Sequence, residues 1–170
     1  MSNDTNVRPK IKVEKSNLER ILEVGSFVAV VMMWVYLWLF WPSIPEKIPT
    51  HFGVLGQADA WGSKITLIFP AIITTVLYLL MAILAQFPQI YNYNSIKITE
   101  ENAEAQYRNA RTMMLWLNAQ IVGIFFYIQW RTVDVAIGNS KGLGLWFLPV
   151  FLVAMFGTLA YYIVKMYKLK

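Results

Sequence analysis

The stretch that decides the fold is V-G-S-F-V-A-V-V-M-M-W-V-Y-L-W-L-F-W, from Val24 to Trp41, which holds no charged residue. A hydrocarbon core of about 30 Å is crossed by roughly 20 helical residues, so this stretch reads as a membrane span. Three more stretches are free of charge over similar lengths: Ile65–Phe87, Thr112–Trp130 and Gly142–Val164. Lipid offers no partner to a backbone N–H or C=O, so each is expected to be a helix. Aromatic residues suited to the membrane interface stand near their ends: Trp41, Trp61, Trp116, Trp130, Trp146, Tyr161, Tyr162 and Tyr167. The expected fold is an all-α integral membrane protein, a bundle of four transmembrane helices.

Composition supports the same reading. Of 170 residues, 57% are apolar and only 15% charged, with a mean hydropathy of +0.46. Soluble domains run nearer a quarter charged, so the apolar surface here must face something other than water. The net charge of +5 does not point to nucleic acid, because the basic residues flank apolar segments and form no stripe. With no cysteine and a single histidine, His51, thiolate metal sites, disulfides and His-rich centres are excluded from one chain.

Pro70 and Pro149 fall in the first turns of the second and fourth spans, where a missing N–H costs little. The third span carries Asn118, Gln120 and Gln129 and is expected to lie deepest in the bundle, its amides bonding neighbouring helices. No ionisable residue falls within the four stretches, which weighs against an ion or proton path.

Orientation follows from the basic residues. Arg8, Lys10, Lys12, Lys15, Arg20, Lys97, Arg108, Arg111, Lys165, Lys168 and Lys170 fall on the side of the termini. Lys47, Lys64, Arg131 and Lys141 fall on the other. Eleven against four predicts both termini in the cytoplasm. Residues 1–20 read as a disordered basic tail, and the first span reads as a retained anchor, not a cleaved signal. In the loop between spans two and three, Thr99 before Glu100 and Glu101 marks a helix start near residue 100 that runs into span three, with Ile98 and Ala103 as a weak staple. No internal repeat is found.

The first loop, residues 41–64, is the segment singled out for function. Pro42, Pro45 and Pro49 bias it toward extended backbone, while Gly53, Gly56 and Gly62 permit turns. This predicts an ordered Pro/Gly-rich outer loop between helices 1 and 2. Lys47 to Phe52 reads as one short extended segment, Gly53 to Gln57 as a turn, and Ser63 as a helix cap.

The stretch I-P-E-K-I-P-T-H-F-G-V-L-G-Q-A-D-A-W-G-S-K, Ile44 to Lys64, resembles the signature of the domain-of-unknown-function 1648 (DUF1648) family. The matching elements are Pro45 and Pro49, His51-Phe52, Gly56, Asp59 and Gly62-Ser63-Lys64. Gly53 stands where many members have Asn, and Ala58 where many have Pro before the Asp. Tyr93 to Glu104 is also similar to standalone members. The resemblance implies a bacterial cytoplasmic-membrane protein related to the front part of SdpI-like proteins, which confer immunity to a secreted toxin and take part in signalling.

His51 and Asp59 read first as structural residues that hydrogen-bond the loop backbone and hold its turn, and three chemistries stand beside that reading. A nucleophilic triad of Ser63, His51 and Asp59 lacks a strained elbow around the serine. A labile metal site would draw on His51, Asp59 and Glu46. The third is a recognition surface of His51, Phe52, Gly56, Asp59, Trp61, Gly62, Ser63 and Lys64 for a peptide, a lipid headgroup or a membrane-protein partner. Arg131 and Asp134, three residues apart just past span three, are expected to pair and help support the loop. The expected role is therefore non-enzymatic, in immunity, envelope sensing or complex assembly, with no cofactor. The alternatives are a membrane enzyme or metal-binding protein using His51 and Asp59, or a small transporter subunit, whose cavity a homo-oligomer could enclose.

Overall fold

The structure, a computed structural model, describes residues 8–93 and 96–170. Among the described residues, four helices are long and apolar enough to cross a membrane. They are α1 (Asn17–Phe40), α2 (Ile68–Leu84), α3 (Ala103–Ala136) and α4 (Phe147–Lys168). Large apolar side chains such as Trp38, Val153 and Phe156 point outward, each more than half exposed. This is the architecture of a multi-pass membrane protein, with lipid in place of water around it.

The all-α expectation is corrected by a β-hairpin between α1 and α2. Its strands are β1 (Lys47–Phe52) and β2 (Ala58–Ser63), paired antiparallel from Lys47 opposite Ser63 to Phe52 opposite Ala58. The segment expected to be extended is β1, and the stretch after the turn is its partner strand. The register shifts between Pro49 and His51 and again between His51 and Phe52, bulges that bend the strand. Ile48 is 1% exposed and enters a core cluster with Met33, Leu37, Leu67, Ala71 and Val133, so the hairpin's base is seated in the bundle.

The ends of the helices differ from the hydropathy boundaries. α1 begins at Asn17, where Ser16 and Glu19 form a reciprocal capping box. α2 is preceded by a tight turn over Lys64–Leu67, with the Ser63 hydroxyl accepting from the Ile65 N–H, the capping role expected for it. α4 starts at Phe147, after a segment containing Gly142 and Gly144 that serves the hairpin instead. Pro70 and Pro149 lie in the first turns of α2 and α4.

α3 is the central helix, packed against α1, α2, α4 and β1. At 34 residues and about 1.5 Å per residue, it outruns the hydrocarbon core. The lead-in expected from Thr99 is present: Thr99 and Asn102 exchange side-chain and backbone hydrogen bonds, and the Ala103 N–H donates to Thr99 O. Ile98 and Ala103 are buried in one cluster. The three amides that the sequence places within the third span each reach a different helix. Asn118 donates to Tyr78 O of α2, Gln120 to Ala154 O and Thr158 Oγ1 of α4, and Gln129 to Met33 O of α1.

The tail expected to be disordered through residue 20 is ordered from residue 8. Arg8 donates to Gln89 O and Tyr91 O and lies over the Tyr93 ring, and Tyr107 donates to Pro9 O. Val13 joins Tyr93, Ile96, Ile98, Ala103 and Tyr107 in a core of its own. Burial pushes the Tyr91 phenol up to about 12 and raises that of Tyr93, so both act as neutral donors, to Leu84 O and Pro88 O. The first seven residues of the expected tail, and Asn94 and Ser95 of the similar stretch Tyr93 to Glu104, lie outside the described residues.

Candidate functional site

The hairpin is fixed at both ends. At its base Lys64 donates to Glu46 at 2.8 Å and lies over the Trp41 ring, and the Lys64 N–H bonds Glu46 O. At its tip the contact is backbone on backbone. The Leu143 N–H donates to Gly56 O at 2.7 Å, and Gln57 forms a β-bridge with Gly142.

That contact needs glycine on both sides. A Cβ on Gly142 would stand 2.0 Å from Gly56 O, and one on Gly56 2.8 Å from Gly144 O. Gly56 also has φ of +75°, in the left-handed region. Arg131 of α3 holds the second loop in place: its guanidinium donates to Gly142 O at 2.6 and 3.0 Å and to Ser140 Oγ. Asp134 lies 3.5 Å from Arg131, forming the expected pair. Support for the hairpin therefore passes from Arg131 through Gly142 to the turn.

The two loops enclose a cleft of about 390 Å³ above the start of α4. Phe52, Leu143, Phe147 and Leu148 line its apolar part, and His51 and Asp59 its polar part. His51 Nδ1 and Asp59 Oδ1 are 2.6 Å apart, with about half or more of each side chain exposed. Gly53 leaves room for this pair, since a Cβ there would sit 3.0 Å from Asp59 Oδ2.

The structure divides the residues singled out from sequence. His51, Phe52, Gly56 and Asp59 meet at the cleft. Trp61 is 47% exposed on β2. Gly62 faces Thr50, and Ser63 and Lys64 belong to the base. The metal set does not form, because Glu46 is paired with Lys64 at the far end of the hairpin from His51 and Asp59. Among the described residues no three His, Asp or Glu side chains gather. A triad does not form either: Ser63 lies opposite Lys47, at the other end of the ladder from the turn.

Two features were not foreseen. Gly142 and Gly144 read as ordinary span residues, and only the approach of Gly56 gives them a role. At the opposite end, Arg111 and Glu19 form a buried ion pair, 4% and 0% exposed as residues. Both Glu19 oxygens are engaged, by Arg111 Nε at 2.9 Å and Nη2 at 3.0 Å, by the Thr112 hydroxyl and by the Ser16 N–H. Arg111 also bonds Val13 O and Glu14 O, so it ties the preceding segment to α3. The Ser16-x-x-Glu19 capping pattern was the available signal.

Residues 28–75 match the family described as Domain of unknown function (DUF1648), the family that the loop signature resembles. The match takes in the second half of α1, the hairpin and the start of α2. A protein of Archaeoglobus fulgidus described as an uncharacterized protein is 25% identical over 142 residues, which is 76% of this chain and 78% of the relative. No solved structure matches.

Proposed function

We propose that this is a non-enzymatic protein of the cytoplasmic membrane that recognises a ligand at the hairpin cleft on its outer face. The observation that carries this reading is the clamping of the hairpin turn onto the Gly142–Gly144 loop. Two loops joined backbone to backbone hold an open, partly apolar cleft in a fixed shape, which is what a recognition site requires. The distribution of basic residues supports an outward-facing hairpin and cytoplasmic termini. Within this reading the biological roles are toxin immunity of the SdpI kind, envelope sensing or assembly of a membrane complex.

The absence of cysteine makes orientation simple to test. Val54→Cys is expected to react with a membrane-impermeant maleimide in intact cells, and Lys97→Cys only after lysis; the reverse pattern inverts the topology and removes the outer site. The role is tested by complementation. A strain lacking the gene is expected to become sensitive to secreted antimicrobial peptides or envelope stress, with rescue by the natural chain and not by the double variant Asp59→Lys, Phe52→Ser. Full rescue by that variant sinks the reading.

A further inference from the structure

A second cavity lies below the cleft. It measures about 430 Å³ and runs between α3 and α4, lined by Gly123, Tyr127, Phe147, Val150 and Phe151, with Ala154 toward its deep end. Gly123 leaves it open, since a Cβ there would meet nothing within 4 Å. The Tyr127 and Phe147 rings stack at 5.2 Å. Phe147 lines the cleft as well as the groove, so the two cavities share a wall at the first residue of α4.

The two halves differ in chemistry. From Phe147 to Ala154 the groove follows α4 for about 10 Å into the span, where the surrounding medium is hydrocarbon. The cleft above holds a carboxylate and an imidazole side by side. A ligand that fills both must be apolar over most of its length and polar at one end. Asp59 is the cleft's carboxylate, and it favours a cationic group on that polar end.

We propose that cleft and groove form one site for a lipid with an amine-bearing headgroup, its acyl chain over Gly123 and its headgroup at His51 and Asp59. This rests on the reading of the cleft as a recognition site and names its ligand. The aromatic stack of Tyr127 and Phe147 stands where the two halves adjoin, and Gly123 replaces the side chain that would otherwise fill the lower one. A soluble peptide could occupy the cleft and would leave the groove to bulk lipid.

The test uses the full chain in vesicles of phosphatidylethanolamine and phosphatidylglycerol, each supplied in turn with a photoactivatable acyl chain. The ethanolamine probe is expected to label α3 and α4 around Gly123 and Phe151 in preference to the glycerol probe. Gly123→Leu should lower that labelling by about fivefold or more, a loss of roughly 1 kcal/mol of binding. Val150→Trp fills the opposite wall and serves if Gly123→Leu does not fold. Asp59→Asn should remove the headgroup preference while leaving acyl labelling in place. Equal labelling by both probes in the natural chain, or undiminished labelling in a folded groove-filling variant, overturns the proposal. If groove-filling variants still complement the deletion strain while the Asp59→Lys, Phe52→Ser variant does not, the lipid proposal falls and the recognition reading stands. If all of them complement, both fall.

Discussion

The two ends of this bundle are held together in opposite ways. At the end carrying the termini, charge is buried: Arg111 and Glu19 satisfy one another among backbone carbonyls, and a small aromatic core closes around Val13 and Tyr93. At the hairpin end, the hydrogen-bonded pair of His51 and Asp59 is exposed, and the turn is fixed by a glycine backbone contact. The first arrangement spends its polar groups on cohesion. The second uses Arg131 and Lys64 for cohesion as well, but leaves His51 and Asp59 facing a cleft. Backbone clamping keeps those side chains available, as the proposed recognition site requires.

The largest effect that would break this comparison is at the terminal end. Arg111→Met leaves Glu19 buried without its partner and is expected to cost about 3–5 kcal/mol, measured by unfolding in detergent. The double variant with Glu19→Leu should recover much of that loss. If Arg111→Met unfolds like the natural chain, the ion pair is not what holds this end.

Next comes the seat of the hairpin. Ile48→Ala empties a fully buried position and is expected to cost about 2–5 kcal/mol, with faster proteolysis within residues 53–57. Gln129→Leu removes one interhelical hydrogen bond and should cost only about 0.6 kcal/mol. A much larger loss would mean that α1 depends on this amide rather than on packing.

The smallest stability effect is expected at the candidate site. His51→Ala breaks an exposed pair worth under about 1 kcal/mol, so unfolding should hardly change while cleft-dependent phenotypes do. A destabilisation as large as that of Ile48→Ala would make the pair a structural brace, and the contrast between the two ends would disappear.

How much of this was legible follows the range of the interactions. The spans were readable because the bilayer imposes its length locally, and α3's amides were readable as interhelical donors because no other partner exists in lipid. The strand Lys47–Phe52 was readable from its prolines. Its partner, A-D-A-W-G-S over Ala58–Ser63, has no alternation of its own and becomes a strand only by pairing. Arg111 counted toward orientation as a loop charge, yet it lies two turns before Asn118 on the same side of α3 and faces inward with it. Nothing in the stretch from Gly142 to Gly144 announces contact with Gly56, more than eighty residues earlier. That pairing depends on where α2 and α3 bring the two loops.

The glycine contact has one more consequence. α4 packs chiefly against α3, while its first residue walls the cleft and the loop before it is bonded to the hairpin turn. The loop thus acts as a linkage between a lightly held helix and the mouth of the cavity. The first residue of α4 and the clamped loop meet at the same rim, so the shape of the cleft depends on how α4 is seated against α3.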